Sequence, residues 1–287
     1  MLLCPDCRES LPGPEPTDCA RCGWKLDRVD GIPVLLSTEE RESPTLRDYV
    51  SNYEQIARDD LTASIQPSAY LERQADTLFA QLPAVRGRRV CELGIGQGMT
   101  FERLLAAEPK ALVGIDVSLA YLHAFAGRDG GATQLTVALA NAETLPYADE
   151  FDVLVASEIL EHVLNLGDLL ISAHRALRPD GSFVVRVPNR EDLRQYARQS
   201  GCEYPYVHLR AFTRDSLVDL LRHAGFRARR IVADGRFPGR PRRWPAPLER
   251  YAKRYRERRF GDEAASDGLA ARLLLEPVTL TGVFEKE

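Results

Sequence analysis

No run of apolar residues in this 287-residue chain is long enough to cross a bilayer. The longest, such as FDVLVA and GSFVVRV, fall far short of the roughly 20 residues that a spanning helix needs. The opening MLLCPDCRES also lacks the basic and apolar regions of a secretory leader. Both absences predict a cytoplasmic protein with no transmembrane segment. Cysteine is scarce beyond the start, since four of the six fall within the first 22 residues. In a reducing compartment that clustering argues for metal rather than disulfides. What remains, 44% hydrophobic and 28% charged residues, is a globular composition, enough for one large core and a small appendage.

The net charge of −4 conceals an asymmetry. Ten arginines and lysines lie between Arg236 and Arg259 against two acids, Glu249 and Glu257, so this stretch carries +8 and the rest −12. Residues 235–270 read as a basic insertion before a last strand, PVTLTGVFE. Its proline-rich first half is expected as loop, and LERYAKRYRERRF as a charged helix bearing Tyr251, Tyr255 and Phe260. Arginines among aromatics suit RNA phosphates, a nucleotide- or lipid-linked sugar, or peripheral contact with an anionic membrane. The competing expectation is a solvated helix with its aromatics packed on the sheet.

The N-terminal pairs Cys4-Pro-Asp-Cys7 and Cys19-Ala-Arg-Cys22 are separated by eleven residues, and each can wrap one face of a tetrahedral ion. Four thiolates close the coordination shell, which predicts structural zinc in a domain of residues 1–38. A segment this small would draw much of its folding free energy from the metal. A thioredoxin-type dithiol would need surrounding strands and helices that the sequence lacks. The following GWKLDRVDGIPVLL resembles the zinc-ribbon module known as an activator subunit of tRNA and translation-factor methyltransferases, and as a fused N-terminal piece of others. Residues 39–84 are polar and helical in pattern, a linker or a lid, with Tyr49, Tyr53 and Tyr70 among charges.

From Arg88 short apolar strands alternate with amphipathic helices, as in RRVCELG, FERLLAAE, ALVGIDVS and FDVLVASE. That alternation means a parallel sheet covered by helices, with ligands outside the carboxyl ends of its strands. The turn CELGIGQGMT carries glycines at 94, 96 and 98. A dinucleotide fingerprint begun at Gly94 would need a third glycine where Met99 stands, and no Gly-Lys-Ser/Thr follows to make a phosphate loop. Asp116 after the second strand suits ribose hydroxyls in either nicotinamide or S-adenosylmethionine enzymes.

Five stations in order, ELGIGQG, GIDVS, NAETLPYADEFDVL, ASEILEHV and LRPDGSFVVRVPN, resemble class I S-adenosylmethionine-dependent methyltransferases, close to the ubiquinone-type O-methyltransferases. The resemblance spans roughly residues 85–235 and implies a Rossmann-like sheet, parallel with a final antiparallel strand, for the domain 85–287. It implies Glu92 near the cofactor's ammonium, Gly94, Gly96 and Gly98 against its methionine part, Asp116 on the ribose, and Asn141 with Ala142 at the adenine edge. Asn141 departs from the usual aspartate, and Asp180 from a more usual glycine at a surface turn.

Methyl transfer from a sulfonium is an in-line displacement, so the protein aligns the partners and, for a hydroxyl acceptor, removes a proton. Glu158, Glu161 and His162 stand in the order E-x-x-E-H. The resemblance associates such a cluster with a divalent metal; the alternative is a loop under the cofactor, with Glu158 and His162 near it. His208, in YPYVHLRAFT, is the best single candidate for general base, with Tyr204 and Tyr206 as pocket walls. His123, His174 and His223 fall in expected helices, Cys91 in a buried strand, and Cys202 in a loop with nothing beside it to activate it. The main expectation is O-methylation of a small molecule or glycan precursor, and no feature sets an oligomeric state. One alternative is an RNA base methyltransferase. Ribosomal RNA guanine methyltransferases pair a ribbon with this fold, although theirs is typically Cys3His and lacks E-x-x-E-H. Another is a non-catalytic scaffold or activator, against which the intact Glu92, glycines and Asp116 argue.

Overall fold

The structure is a computed structural model that describes residues 1–13, 17–63, 68–197, 201–242, 244–260 and 269–287, with side chains at 63, 68–71, 73, 237–240, 246 and 257–260 excepted. The expectations for the Tyr70 and Phe260 side chains and for Arg243 therefore lie outside the described residues.

The central strands are β3 (Arg89–Leu93), β4 (Ala111–Asp116), β5 (Gln134–Leu139), β6 (Phe151–Ser157) and β7 (Leu177–Pro188). β3, β4 and β6 are almost continuously buried, as parallel strands with both faces covered must be. Alternate residues feed two cores: Cys91 and Leu93 join one cluster, Val90 the other. Helices α4 (Met99–Ala106), α5 (Leu119–His123), α6 (Leu166–Ala176) and α7 (Arg214–His223) connect them. α7 begins in a reciprocal cap between Thr213 and Ser216, which fixes where the preceding His208 loop must end.

Beyond β7 come β8 (Phe226–Pro241) and β9 (Leu275–Lys286), with β9 antiparallel between β7 and β8. This is the expected sheet with an antiparallel final strand. The stretch after Gly235 differs from the expected loop. It continues β8 because β9 also starts early and supplies a partner edge, through Arg236↔Pro277 and Pro241↔Leu275. Pro241 stands at the strand end, where its missing N–H costs least. The insertion then forms α8 (Ala246–Phe260) and α9 (Leu269–Leu274).

At the opposite edge, β1 (Asp27–Val29) and β2 (Ile32–Val34) form a hairpin across Asp30 and Gly31, whose φ of +49° and +82° are those of a two-residue turn. β2 runs parallel to β5 at Val34↔Leu139, so the hairpin extends one nine-stranded sheet in the order β1-β2-β5-β4-β3-β6-β7-β9-β8. Cys4, Trp24 and Leu35 share a buried cluster with Cys91 and Leu93. The cysteine-bearing segment is thus continuous with the main core. It leads into α1 (Thr38–Glu42), α2 (Pro44–Ala63) and α3 (Ser68–Phe79), and α2 crosses above the ends of the sheet strands.

Candidate functional site

A cavity of about 660 Å³ opens at the carboxyl ends of β3, β4 and β6. Glu92, the glycine turn, Asp116, Asn141 and Ala142 line one end, and His162, Glu191, Tyr196 and His208 the other.

The three glycines have positive φ, but for different reasons. A Cβ on Gly98 would lie 1.9 Å from the Phe125 ring, so packing alone demands glycine there. A Cβ on Gly96 would meet nothing within 4 Å, which leaves that backbone open to a ligand. Glu92 is buried and one of its oxygens has no hydrogen-bond partner. Burial, reinforced by the charge of Asp116, raises its pKa well above the ordinary carboxylate range. A ligand ammonium would satisfy that oxygen. Asp116 accepts from the backbone N–H of Gly96 at 3.1 Å and of Ser118 at 2.9 Å. Burial nevertheless pushes its pKa up to about 6, against the lowering effect of those bonds. Asn141 caps the short 3-10 turn Ala142–Thr144 by accepting from the Glu143 N–H, while its amide donates to Glu40 at 3.1 Å.

At the other end the E-x-x-E-H segment turns sharply, with Glu158 held at φ +54°, a conformation uncommon outside glycine and typical of functional turns. Glu158 lies 3.4 Å from the buried Arg186 of β7, which partly offsets the rise that burial gives its pKa. Glu161 is fully buried and neither of its oxygens is bonded. Burial first, then Glu158, drives its pKa well above the ordinary range, and a cation beside it would offset that rise.

His162 directs Nδ1 to the Val207 carbonyl at 3.0 Å and the Tyr53 hydroxyl at 2.8 Å. A carbonyl only accepts, so Nδ1 carries the proton, and burial, with His208 nearby, lowers its pKa to about 3. The neutral ring leaves its Nε2 lone pair 3.9 Å from Glu161. His208 is brought alongside because Leu209 N–H donates to the Glu161 carbonyl at 2.8 Å and Arg210 donates to the Leu160 and Leu164 carbonyls. Its ring stands 4.5 Å from that of His162 and its Nδ1 bonds Glu191, which also accepts from the Tyr196 hydroxyl at 2.6 Å. The free Nε2 of His208 is the only ring nitrogen it has to offer a ligand. Glu161, His162 and His208 present ligand atoms within 4.8 Å of one another.

Glu191, Tyr196 and Arg186 were not singled out in the sequence. Glu191 and Tyr196 bond each other locally, but their link to His208, like every partner of Arg186, comes from another segment. Tyr49 and Tyr53 of α2 line the cavity, and Asn52 and Asp59 tie that helix to Tyr206 and Tyr204. α2 thus covers the site. Tyr204 also lines the cavity, while Tyr206 packs on Tyr49. His123 pairs with Asp30 at 3.1 Å, His174 packs against Phe226, His223 bonds its own helix, Cys91 is buried, and Cys202 donates to the Tyr204 carbonyl.

The sulfurs of Cys4 and Cys22 lie 3.5 Å apart, and those of Cys7 and Cys19 3.6 Å. A tetrahedral zinc with bonds of about 2.3 Å sets its sulfurs roughly 3.8 Å apart, so the four cysteines fit the ion. The knuckle reaches the loop at one end of the cavity, where Arg8 donates to the Thr144 carbonyl at 2.9 Å, and Glu40 of the following α1 holds both Asn141 and Thr144.

Sheet order, glycine turn and the carboxylates at the ends of β3 and β4 together define the class of S-adenosylmethionine-dependent methyltransferases. Residues 68–231 match the methyltransferase domain family, and the chain belongs to it. The ubiquinone biosynthesis O-methyltransferase of Roseobacter denitrificans is 29% identical over 163 residues, 49% of this chain and 60% of that protein. The tRNA U34 carboxymethyltransferase of Desulfotalea psychrophila is 26% identical over 160 residues, 54% of this chain and 50% of that protein. The chain thus spans about half to three-fifths of the length of these curated relatives. A solved complex of the Haloferax volcanii Trm112 methyltransferase activator with a methyltransferase matches with a TM-score of 0.55 at 17% identity, over 83% of this chain and 97% of that one, and shares the fold.

Proposed function

We propose that the protein methylates a hydroxyl oxygen on a small molecule or glycan precursor, using S-adenosylmethionine. The observation that carries this reading is the His208–Glu191 pair across the cavity from Glu92 and Asp116. When bound, S-adenosylmethionine supplies an electrophilic methyl group on a sulfonium. Glu92 holds the ammonium, Asp116 accepts from the ribose hydroxyls, and Asn141 and Ala142 border the adenine. His208 takes the acceptor's proton on Nε2 while Glu191 fixes the ring and stabilises the imidazolium. α2, through Tyr49 and Tyr53, excludes water from the reacting atoms.

A variant of this reading gives Glu161, His162 and His208 a divalent cation that lowers the pKa of the acceptor hydroxyl, and the unbonded oxygens of Glu161 favour it. A chelator that abolishes transfer while cofactor binding persists would select it over simple base catalysis.

A second reading, RNA methylation, is favoured by the basic segment 236–259 and by the likeness to the tRNA enzyme. Labelled methyl transfer into fractionated cell extract, with and without ribonuclease, separates the two. Label in a ribonuclease-resistant small-molecule or glycolipid fraction supports hydroxyl methylation, and label lost to ribonuclease overturns it. The cysteine knuckle fits a built-in stabiliser of the loop Asn141–Thr144 through its Arg8 contact.

A further inference from the structure

The inner side of α8 is accounted for: Ala252 packs with Ala271, Leu274 and Leu275 beside Trp244, and Arg256 pairs with Glu249 at 2.6 Å. Its outer side is not. Leu248, Tyr251 and Tyr255 follow one another at helical spacings of three and four, forming a single stripe, and are 49%, 65% and 51% exposed. Leu269 and Leu273, one turn apart on α9, are 76% and 52% exposed. Five of the nine large exposed hydrophobic side chains among the described residues thus fall on α8 and α9. Arg250, Lys253 and Arg254 are also exposed on α8, Arg254 next to the stripe in helical projection, within the segment that carries +8.

We propose that α8 and α9 form a docking surface for an anionic lipid bilayer. An exposed aliphatic and tyrosine stripe on a helix that also exposes arginines and a lysine suits an interfacial helix: the apolar side chains enter the acyl boundary and the long cations reach lipid phosphates. The leucines decide among polyanions. RNA rewards arginine and stacked aromatics, but three exposed leucines gain nothing from phosphate or ribose. A twofold contact between copies through this face would set one +8 segment against another, at a cost that a bilayer does not impose.

The location gives docking a consequence. β9 starts directly after α9 at Leu275, and Val278 and Thr279 line the cavity, so the surface is tethered within roughly 13 Å of strand from the site. An acceptor that partitions into the bilayer would be met there. This last step rests on the methyltransferase reading; bilayer docking itself does not.

The test is co-sedimentation of the full chain with vesicles of phosphatidylglycerol and phosphatidylcholine, against phosphatidylcholine alone. S-adenosylhomocysteine affinity, measured on every sample, reports separately on the cofactor site. Binding to the anionic vesicles only, weakened by salt and reduced about tenfold or more in the triple variant Leu248→Ser, Leu269→Ser, Leu273→Ser, is the expected result. Arg250→Glu with Arg254→Glu should lose binding similarly. Absence of vesicle binding by a chain that still binds S-adenosylhomocysteine would overturn the proposal. So would binding that ignores the leucines, or a tighter, leucine-independent affinity for single-stranded RNA.

Discussion

In the proposed reaction the chemistry turns on His208 and Glu191, with Asp116 on the cofactor. Replacing His208 by alanine should lower turnover by about a hundred- to ten-thousandfold, the usual worth of a general base, with S-adenosylhomocysteine affinity unchanged. Glu191→Gln should cost less, about tenfold, because the ring keeps a hydrogen-bond partner but loses the charge behind it. Turnover in the labelled-methyl assay checks both, and an unaffected His208→Ala would remove that residue from the mechanism. Asp116 predicts a pH signature with two opposite signs. Its pKa is raised from 3.8 to about 6 on folding, so the ligand-free protein gains stability from this group at low pH and loses it as pH rises through about 6. Cofactor binding needs the ionised form, so affinity should weaken as pH falls through about 6, and the raised pKa of Glu92 acts in the same direction. Calorimetric titration across pH 5 to 8, alongside thermal unfolding of the free protein, reads both trends.

Gly96 and Gly98 should separate stability from binding. Gly98→Ala forces a methyl into the Phe125 ring at a left-handed φ of +82° and should cost several kcal/mol, on the order of 2–4, of folding stability. Gly96→Ala meets open space and should cost only about 1 kcal/mol, while obstructing the cofactor. Equal losses of stability in the two variants would contradict the reading of the turn.

Among the elements, the knuckle bearing Cys4, Cys7, Cys19 and Cys22 does more than close on a metal. Through Arg8 it holds the loop Asn141–Thr144 that borders the cavity, a loop that Glu40 of the adjoining α1 also ties down. Replacing Cys19 and Cys22 with serine, or stripping zinc with a strong chelator, should therefore weaken S-adenosylhomocysteine binding as well as lower the melting temperature. Unchanged affinity after proven zinc loss would reduce the knuckle to a separate appendage. This coupling was not legible in the sequence. The cysteine spacing announces a metal, but which loop the knuckle touches depends on β2 pairing with β5, a contact across more than a hundred residues. The strands β3, β4 and β6 were legible because full burial writes continuous apolar runs. The extension of β8 through Gly235–Pro241 was not, since prolines and glycines there read as loop and only the early start of β9 supplies a partner.

For the whole molecule, one nine-stranded sheet carries every functional part: knuckle at one edge, cavity over the middle, basic helices beyond the other. The cofactor end was readable because its residues cluster in short motifs at strand ends. The acceptor end was only half readable, because His208 meets Glu191 and His162, and His162 in turn meets Tyr53, from four separate segments. The measurement that tests this account most directly is calorimetric titration with S-adenosylhomocysteine of the wild-type chain and of Glu92→Gln and Asp116→Ala. Binding at one site per chain, well below about 1 mM for the wild type and weakened at least about tenfold in each variant, is the predicted result. A folded wild-type chain that does not bind at about 1 mM would contradict catalysis by this cavity.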